Sequence, residues 1–250
     1  MNAPPLSSIP GLPDPVGRGA GRRLEASVLS EIHGLRHAFT LRGSEPLAIL
    51  SDLVGSSLPI HSLQQIHGST IHVTGHGRAA VGDRREQGDA LITDHRGIAI
   101  AIRVADCVPI LICHERSGAI AAVHAGWRGT VAGVLPAAIR ALGETYGADP
   151  AELRIAIGPC IGPCCFEVGP DVVELFLTSD PRMGSCIRDD RGTRIDLPAA
   201  NRFQALWAGV TRAGIEELSG CTMCWGDRFE SHRRDGERAG RMLGLIAWKP

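Results

Sequence analysis

From Leu24 onward short apolar runs alternate with Gly, Pro and Asp punctuation, the rhythm of brief strands joined by tight turns. The β-branched stretches predict strands over 62–67, 70–74, 90–93, 98–105, 109–113, 119–124 and 153–158. Apolar residues at i, i+3, i+4 and i+7 predict helices over 130–147, 170–179 and 197–214, with Pro136 kinking the first and Asp196 capping the last. A final strand pair is expected through 229–234 and 242–248. Strands come first as neighbours and then alternate with helices, which predicts a layered α/β sandwich with a mixed central sheet instead of a purely doubly wound one.

Prolines 4, 5, 10, 13 and 15, set among Gly and Ser, exclude a helix or central strand from residues 1–22, which read as a mobile leader to a single domain over 23–250. The body carries no internal repeat and is long enough to bury a core without disulfides. Lysine and arginine number 26 against 27 acidic residues, so no general positive field gathers nucleic acid or an anionic membrane. The longest apolar stretch is broken by Arg103 and Asp106, short of the roughly 18 residues of a membrane span. Eight cysteines in 250 residues are too sparse for a disulfide scaffold and fit a reducing cytoplasm.

Chemistry concentrates in RVADCVPILI followed by AAVHAGWRG. Cys107 sits in a break between two apolar runs, and an ordinary hairpin returns His124 to its level. His67, followed by Gly68, ends another expected strand where a ligand could approach the backbone. Together His67, Cys107 and His124 make a His₂Cys donor set that suits Zn²⁺ and leaves a fourth position for water or substrate. Spacing alone leaves open that Cys107 is a buried thiol and that the histidines bond to backbone. Gly126 and Arg128, at a strand-to-helix turn, offer an anion seat, while Trp127 packs on the core in the plainer reading of the same turn.

The remaining cysteines carry less. Cys160, Cys164 and Cys165 lie in a Gly/Pro-rich loop without a partner pair at metal-ligand spacing, so they read as buried thiols. Cys221 and Cys224 form a single CxxC with no second knuckle and no helix start, which reads as structural. His67 and His124 are followed two places on by Ser69 and Gly126, and Gly220 precedes Cys221, so the His-x-Glu and Pro-Cys-x-x-Cys pattern of zinc nucleoside deaminases is absent. Arg233 stands in a basic cluster able to face a substrate anion, and Asn201 is ambiguous.

The strings QQIHG, GDALIT, ADCVPILI, AVHAGWRGTVAG, IGPCIGPCCFEVG, DLPAANRFQAL and FESHRRDGERAGRM occur in the order of the YfiH-like family, which the chain resembles from about Leu35 to Trp248. That family is known variously as multicopper polyphenol oxidase, peptidoglycan editing factor and purine nucleoside phosphorylase. The resemblance implies a CNF/YfiH-like layered sandwich and one zinc at positions matching His67, Cys107 and His124. It also implies phosphorolysis of adenosine, inosine, guanosine and methylthioadenosine, with adenosine deamination. The chain departs from the pattern between Arg42 and Gln64, where a longer Gly/Ser/Asn stretch is usual. That shortening bears on nucleoside specificity more than on the ligands.

The expectation is therefore a zinc enzyme acting on a purine nucleoside and phosphate, with copper as an alternative occupant, as a monomer or small homo-oligomer. Arg42, Gly126, Arg128 and Arg233 are its phosphate-side candidates. Two rivals remain: a cysteine hydrolase or peptidoglycan-precursor editing enzyme with Cys107 as nucleophile and His124 as base, and a copper-dependent polyphenol oxidase, which needs more histidine pairs than the sequence offers.

Overall fold

A computed structural model describes residues 13–17, 19–55, 58–75, 86–189 and 192–250. The strands are β1 (Arg23–Leu24), β2 (Leu35–Thr40), β3 (Ile60–His61), β4 (Ile71–Val73), β5 (Ala90–Thr93), β6 (Ala99–Val104), β7 (Val108–His114), β8 (Ala119–Ala125), β9 (Arg154–Ile157), β10 (Ile187–Arg188), β11 (Arg194–Ile195), β12 (Ile215–Glu217) and β13 (Met242–Trp248). The helices are α1 (Ser27–Ser30), α2 (Pro46–Val54), α3 (Trp127–Val131), α4 (Val134–Tyr146), α5 (Pro170–Ser179), α6 (Leu197–Trp207) and α7 (His232–Asp235).

The layered α/β sandwich is present, and its sheet layer is double. One sheet runs β1-β2-β13-β6-β3 and the other β12-β9-β7-β8-β5-β4, each mixing parallel and antiparallel pairs. Alternation along β6 explains the layering. Ile100, Ile102 and Val104 turn into the main core between the sheets, whereas Ala99 and Ala101 turn outward, where small side chains let Ile49, Leu50 and Leu53 of α2 pack closely. β7 and β8 are buried throughout, the five-stranded sheet covering one face of both and α4 packing on β8 from the other side. This is why their sequences run apolar without alternation.

Four expected elements take another form. The segment 62–67 is no strand: β3 pairs with β6 only at Ile60 and His61, after which the Gln65 amide bonds both N–H and C=O of Arg103 in place of backbone. The helix expected over 130–147 is two helices divided at Gly133, whose left-handed φ of 73° ends the first. Pro136 does not kink it, because it lies in the first turn of α4, where N–H groups have no helical acceptor. The helix over 197–214 stops at Trp207, and Gly209, at φ 97°, turns the chain toward β12; Asp196 caps its start as expected. Residues 229–234 form the approach to α7 instead of a strand, with Ser231 Oγ capping the Arg234 N–H.

Residues 1–12 of the expected leader lie outside the described residues, while Val16 pairs with Arg23 through two backbone hydrogen bonds. Among the described residues no helix is long and apolar enough to cross a membrane.

Candidate functional site

The β7–β8 hairpin sets the first two groups. Pro109 faces His124 and Val108 faces Ala125, so Cys107, one step before β7, lies at the level of Gly126. Asp106, just before the thiol, is held at φ 89°, a conformation uncommon outside glycine that aspartate and asparagine adopt more readily than other residues. Its carboxylate compensates by accepting from Thr222 Oγ1 and from the Arg233 N–H, while the Ile161 N–H donates to its carbonyl. The turn that presents Cys107 is thereby tied to three later segments.

His67 reaches the same place from a loop, itself at φ 60°. The ligating atoms of His67, Cys107 and His124 lie within 4.8 Å of one another, and the two imidazoles meet edge to face at 4.9 Å between centroids. Glycines make the convergence possible. A Cβ on Gly126 would fall 2.9 Å from Cys107 Sγ and 3.3 Å from the His67 ring, and one on Gly129 would fall 3.1 Å from the Gly68 carbonyl. The AGWRG turn is thus shaped by close approach of the ligand-bearing loops. The Gly68 N–H donates to Asp89 Oδ2 at 2.6 Å.

Asp89 escaped the sequence reading, which took GDALIT as one of the family-like strings and as an expected strand over 90–93 without giving the aspartate a role. It is 0 % exposed. It begins the loop end of β5, which pairs with β8. Oδ1 accepts the His67 N–H at 2.9 Å and His124 Nδ1 at 2.8 Å. Desolvation by burial pushes the Asp89 carboxyl up, but the hydrogen bonds from His124, Gly68 and His67 outweigh it and hold the group below its usual range. The bond to Nδ1 fixes the His124 tautomer and leaves Nε2 as its ligating atom, the common carboxylate–histidine support of a metal ligand.

The Cys107 thiol is drawn down to about 6: burial opposes ionisation, and the hydrogen bonds and charges of His124 and His67 prevail. The His124 ring is raised to about 9, burial again opposing and Asp89 and Cys107 prevailing. Both shifts favour the charged form of each partner, thiolate and imidazolium.

These groups floor a cavity of about 660 Å³ lined also by Gln64, Trp127, Phe166, Arg103, Arg233 and Arg241. The volume suits a small-molecule ligand. Arg233 donates to the Glu167 carbonyl at 3.1 Å and lies over the Phe166 ring. Behind the floor, Asn201 and Gln204 bond Thr130 and brace α3, which settles the role of Asn201 as support. Of the four expected anion residues only Arg233 lines the cavity; Gly126 lies behind Cys107 and His67, and Arg42 and Arg128 are turned elsewhere. Arg42 bonds the Gly226 carbonyl and pairs with Glu230 and Asp235, and Arg128 lies over the Trp127 ring at 4.2 Å. Arg103 and Arg241 line the wall instead; Arg241 belongs to the same basic cluster as Arg233, whereas Arg103, isolated in β6, gave no sequence cluster to notice.

The family described as multi-copper polyphenol oxidoreductase laccase matches residues 45–249. The chain belongs to this YfiH-like family. It is similar to a purine nucleoside phosphorylase of Bacteroides thetaiotaomicron, 40% identical over 161 residues, 63% of this chain and 60% of that one. A protein named adenosine deaminase RL5, from an unknown prokaryotic organism, is 40% identical over 156 residues, 61% of this chain and 59% of its own. These aligned segments span about three fifths of either relative's length. The crystal structure of the Bacillus licheniformis protein YfiH superposes with a TM-score of 0.81 at 27% identity, covering 91% of this chain and 96% of that one.

Proposed function

We propose that the protein is a zinc-dependent purine nucleoside phosphorylase that also deaminates adenosine, with the metal held by His67, Cys107 and His124. The observation that carries this reading is the placement of three soft and borderline donors at the floor of a cavity walled by arginines. Two imidazoles and a low-pKa thiol match zinc preference and leave one position open. Among the described residues such close groups of His, Cys, Asp and Glu occur at two places, and neither is the histidine-rich array of multicopper oxidation. Bound there, zinc supplies Lewis-acid activation of water.

The chain's own residues supply the rest. Asp89 keeps His124 oriented and compensates positive charge at the site. Arg233 and Arg241, with Arg103, seat phosphate by charge-assisted hydrogen bonds, and Trp127 and Phe166 offer aromatic faces to the purine. In phosphorolysis a phosphate oxygen bonds to C1′ of the ribose as the C1′–N9 bond breaks. The base leaves with that electron pair and takes up a proton, giving free purine and ribose 1-phosphate. In deamination water adds at C6 of adenosine and ammonia departs, giving inosine.

One observation favours a second reading. Cys107, His124 and Asp89 are ordered as thiol, imidazole and carboxylate, the arrangement of a cysteine hydrolase. His67 separates the two, because a dyad has no use for a third donor.

Product analysis tests the proposal. Purified zinc-loaded protein given inosine should release hypoxanthine only when phosphate is present, with equimolar ribose 1-phosphate, and given adenosine without phosphate should form inosine. Absence of both products, or acylation of Cys107 by a peptide or amide substrate, would assign the site to the hydrolase reading.

A further inference from the structure

The second convergence of metal-ligating groups lies outside the cavity floor. β9 and β12 are parallel neighbours, with Ile155 facing Ile215 and Ile157 facing Glu217, so the loops leaving their ends run side by side. That pairing continues past the strands: Leu218 N–H donates to the Ile157 carbonyl, Thr222 N–H donates to the Cys160 carbonyl, and Cys160 and Cys221 form a parallel bridge. Cys164 and Cys165 on the first loop are thereby brought against Cys221 and Cys224 on the second.

The four sulfurs lie within 4.8 Å of one another. Cys164 Sγ is 3.7 Å from Cys224 Sγ, and Cys165 Sγ is 3.3 Å from it. Four thiolates around one zinc at about 2.3 Å stand roughly 3.8 Å apart in a tetrahedron. All four cysteines are free. The Gly162 N–H donates to Cys221 Sγ at 3.3 Å, the support a thiolate ligand receives from backbone. A Cβ on Gly162 would fall 3.3 Å from both Cys164 Sγ and Cys221 Cβ, so a larger residue there would crowd the cluster. The expectation of buried thiols holds for Cys160 and fails for Cys164 for a physical reason. Cys164 and Cys224 are exposed, and the partner pair missing from local spacing comes from a parallel strand pairing far along the chain.

We propose that Cys164, Cys165, Cys221 and Cys224 form a structural tetrathiolate zinc site that clamps two loops of the cavity wall. Ile161 and Phe166 of the first loop line the cavity, and the Glu167 carbonyl holds Arg233. On the second loop Thr222 holds Asp106, which sets the turn of Cys107. The site thus fixes the wall without touching substrate, and its existence does not depend on the nucleoside reading.

Cobalt substitution tests it. Full-length protein prepared under reducing conditions, stripped with a chelator and titrated with Co²⁺, should develop intense thiolate-to-cobalt absorption and tetrahedral ligand-field bands. The intense four-thiolate bands should persist in His124→Ala, which spares this cluster, whereas Cys224→Ser should lose them and keep only the weaker absorption from the single thiolate of Cys107. Because Cys224→Ser could fail to fold, wild-type protein gives a second readout. Zinc-loaded protein should protect all four cysteines from a thiol reagent, and chelation should expose them while Cys113 and Cys186 stay unreactive. A His124→Ala protein with no tetrathiolate cobalt spectrum, equal labelling of the four thiols with and without zinc, bound iron in their place, or a Cys165–Cys224 disulfide in protein never exposed to oxidant would each overturn the proposal.

Discussion

Asp89, just before β5, and His124, in the neighbouring strand β8, are 35 positions apart in sequence and joined by a 2.8 Å hydrogen bond from Nδ1 to Oδ1. The bond is buried, and the same carboxylate holds the backbone of His67 and Gly68. Two of the three donors are therefore aimed by one side chain.

Asp89→Asn retains shape but loses the charge and one acceptor. It should weaken zinc binding by about 10–100-fold, with turnover falling in parallel at limiting metal. Competition with a fluorescent chelator measures the affinity, and activity at saturating zinc separates loss of metal from loss of orientation. Wild-type affinity in Asp89→Asn would show that His67 and His124 are positioned by other contacts.

Arg233 and Arg128 make opposite predictions although both belonged to the anion set expected from sequence. Arg233→Ala should raise the KM for phosphate about tenfold or more, the worth of a charge-assisted hydrogen bond, and affect phosphate-independent adenosine deamination much less. Arg128→Ala, lying outside the cavity, should stay within about twofold of wild type. Steady-state kinetics at varied phosphate decides, and the reverse ranking would move the phosphate seat to the start of α3.

What the sequence made legible divides along the same line. β7, β8 and β13 were readable because they are apolar runs bounded by turn residues, whereas β2, whose sequence LRHAFT mixes in Arg36, His37 and Thr40, was not; Cys107 and His124 were brought together in the reading by one local hairpin. His67 was found although its strand does not exist, because the side-chain amide of Gln65 continues the sheet edge where backbone pairing stops. Asp89 and the four-cysteine cluster were hidden. Each depends on which strands become neighbours, β5 with β8 and β9 with β12, and no spacing within a segment records that choice. Arg42 was misplaced for a similar reason, since its partners Glu230 and Asp235 arrive from the far end of the chain.

His37 should impose a pH dependence on stability away from the site. Its Nε2 accepts the Ala26 N–H at 2.7 Å, and burial, helped by the charge of Arg23, pushes the ring down to about 4. The unfolded chain, with a value near 6.5, binds the proton more readily. The contribution is thus full above about 6.5 and is lost as pH falls toward about 4, on the order of 3 kcal/mol in all. Urea unfolding of chelated protein across this range should show a steeper decline for wild type than for His37→Gln. Parallel profiles would mean that the His37 proton is not coupled to folding.

The central claim is that Cys107 serves nucleoside chemistry as a metal ligand, and metal withdrawal and return on the phosphorolysis assay tests it most directly. Chelated wild-type protein should lose inosine phosphorolysis and regain it on addition of zinc. Under the same conditions His67→Ala, Cys107→Ala and His124→Ala should stay inactive at equimolar zinc, and mass spectrometry of wild type during turnover should find Cys107 unmodified. Full turnover by metal-free protein, or an active His67→Ala together with a covalent adduct on Cys107, would contradict the account.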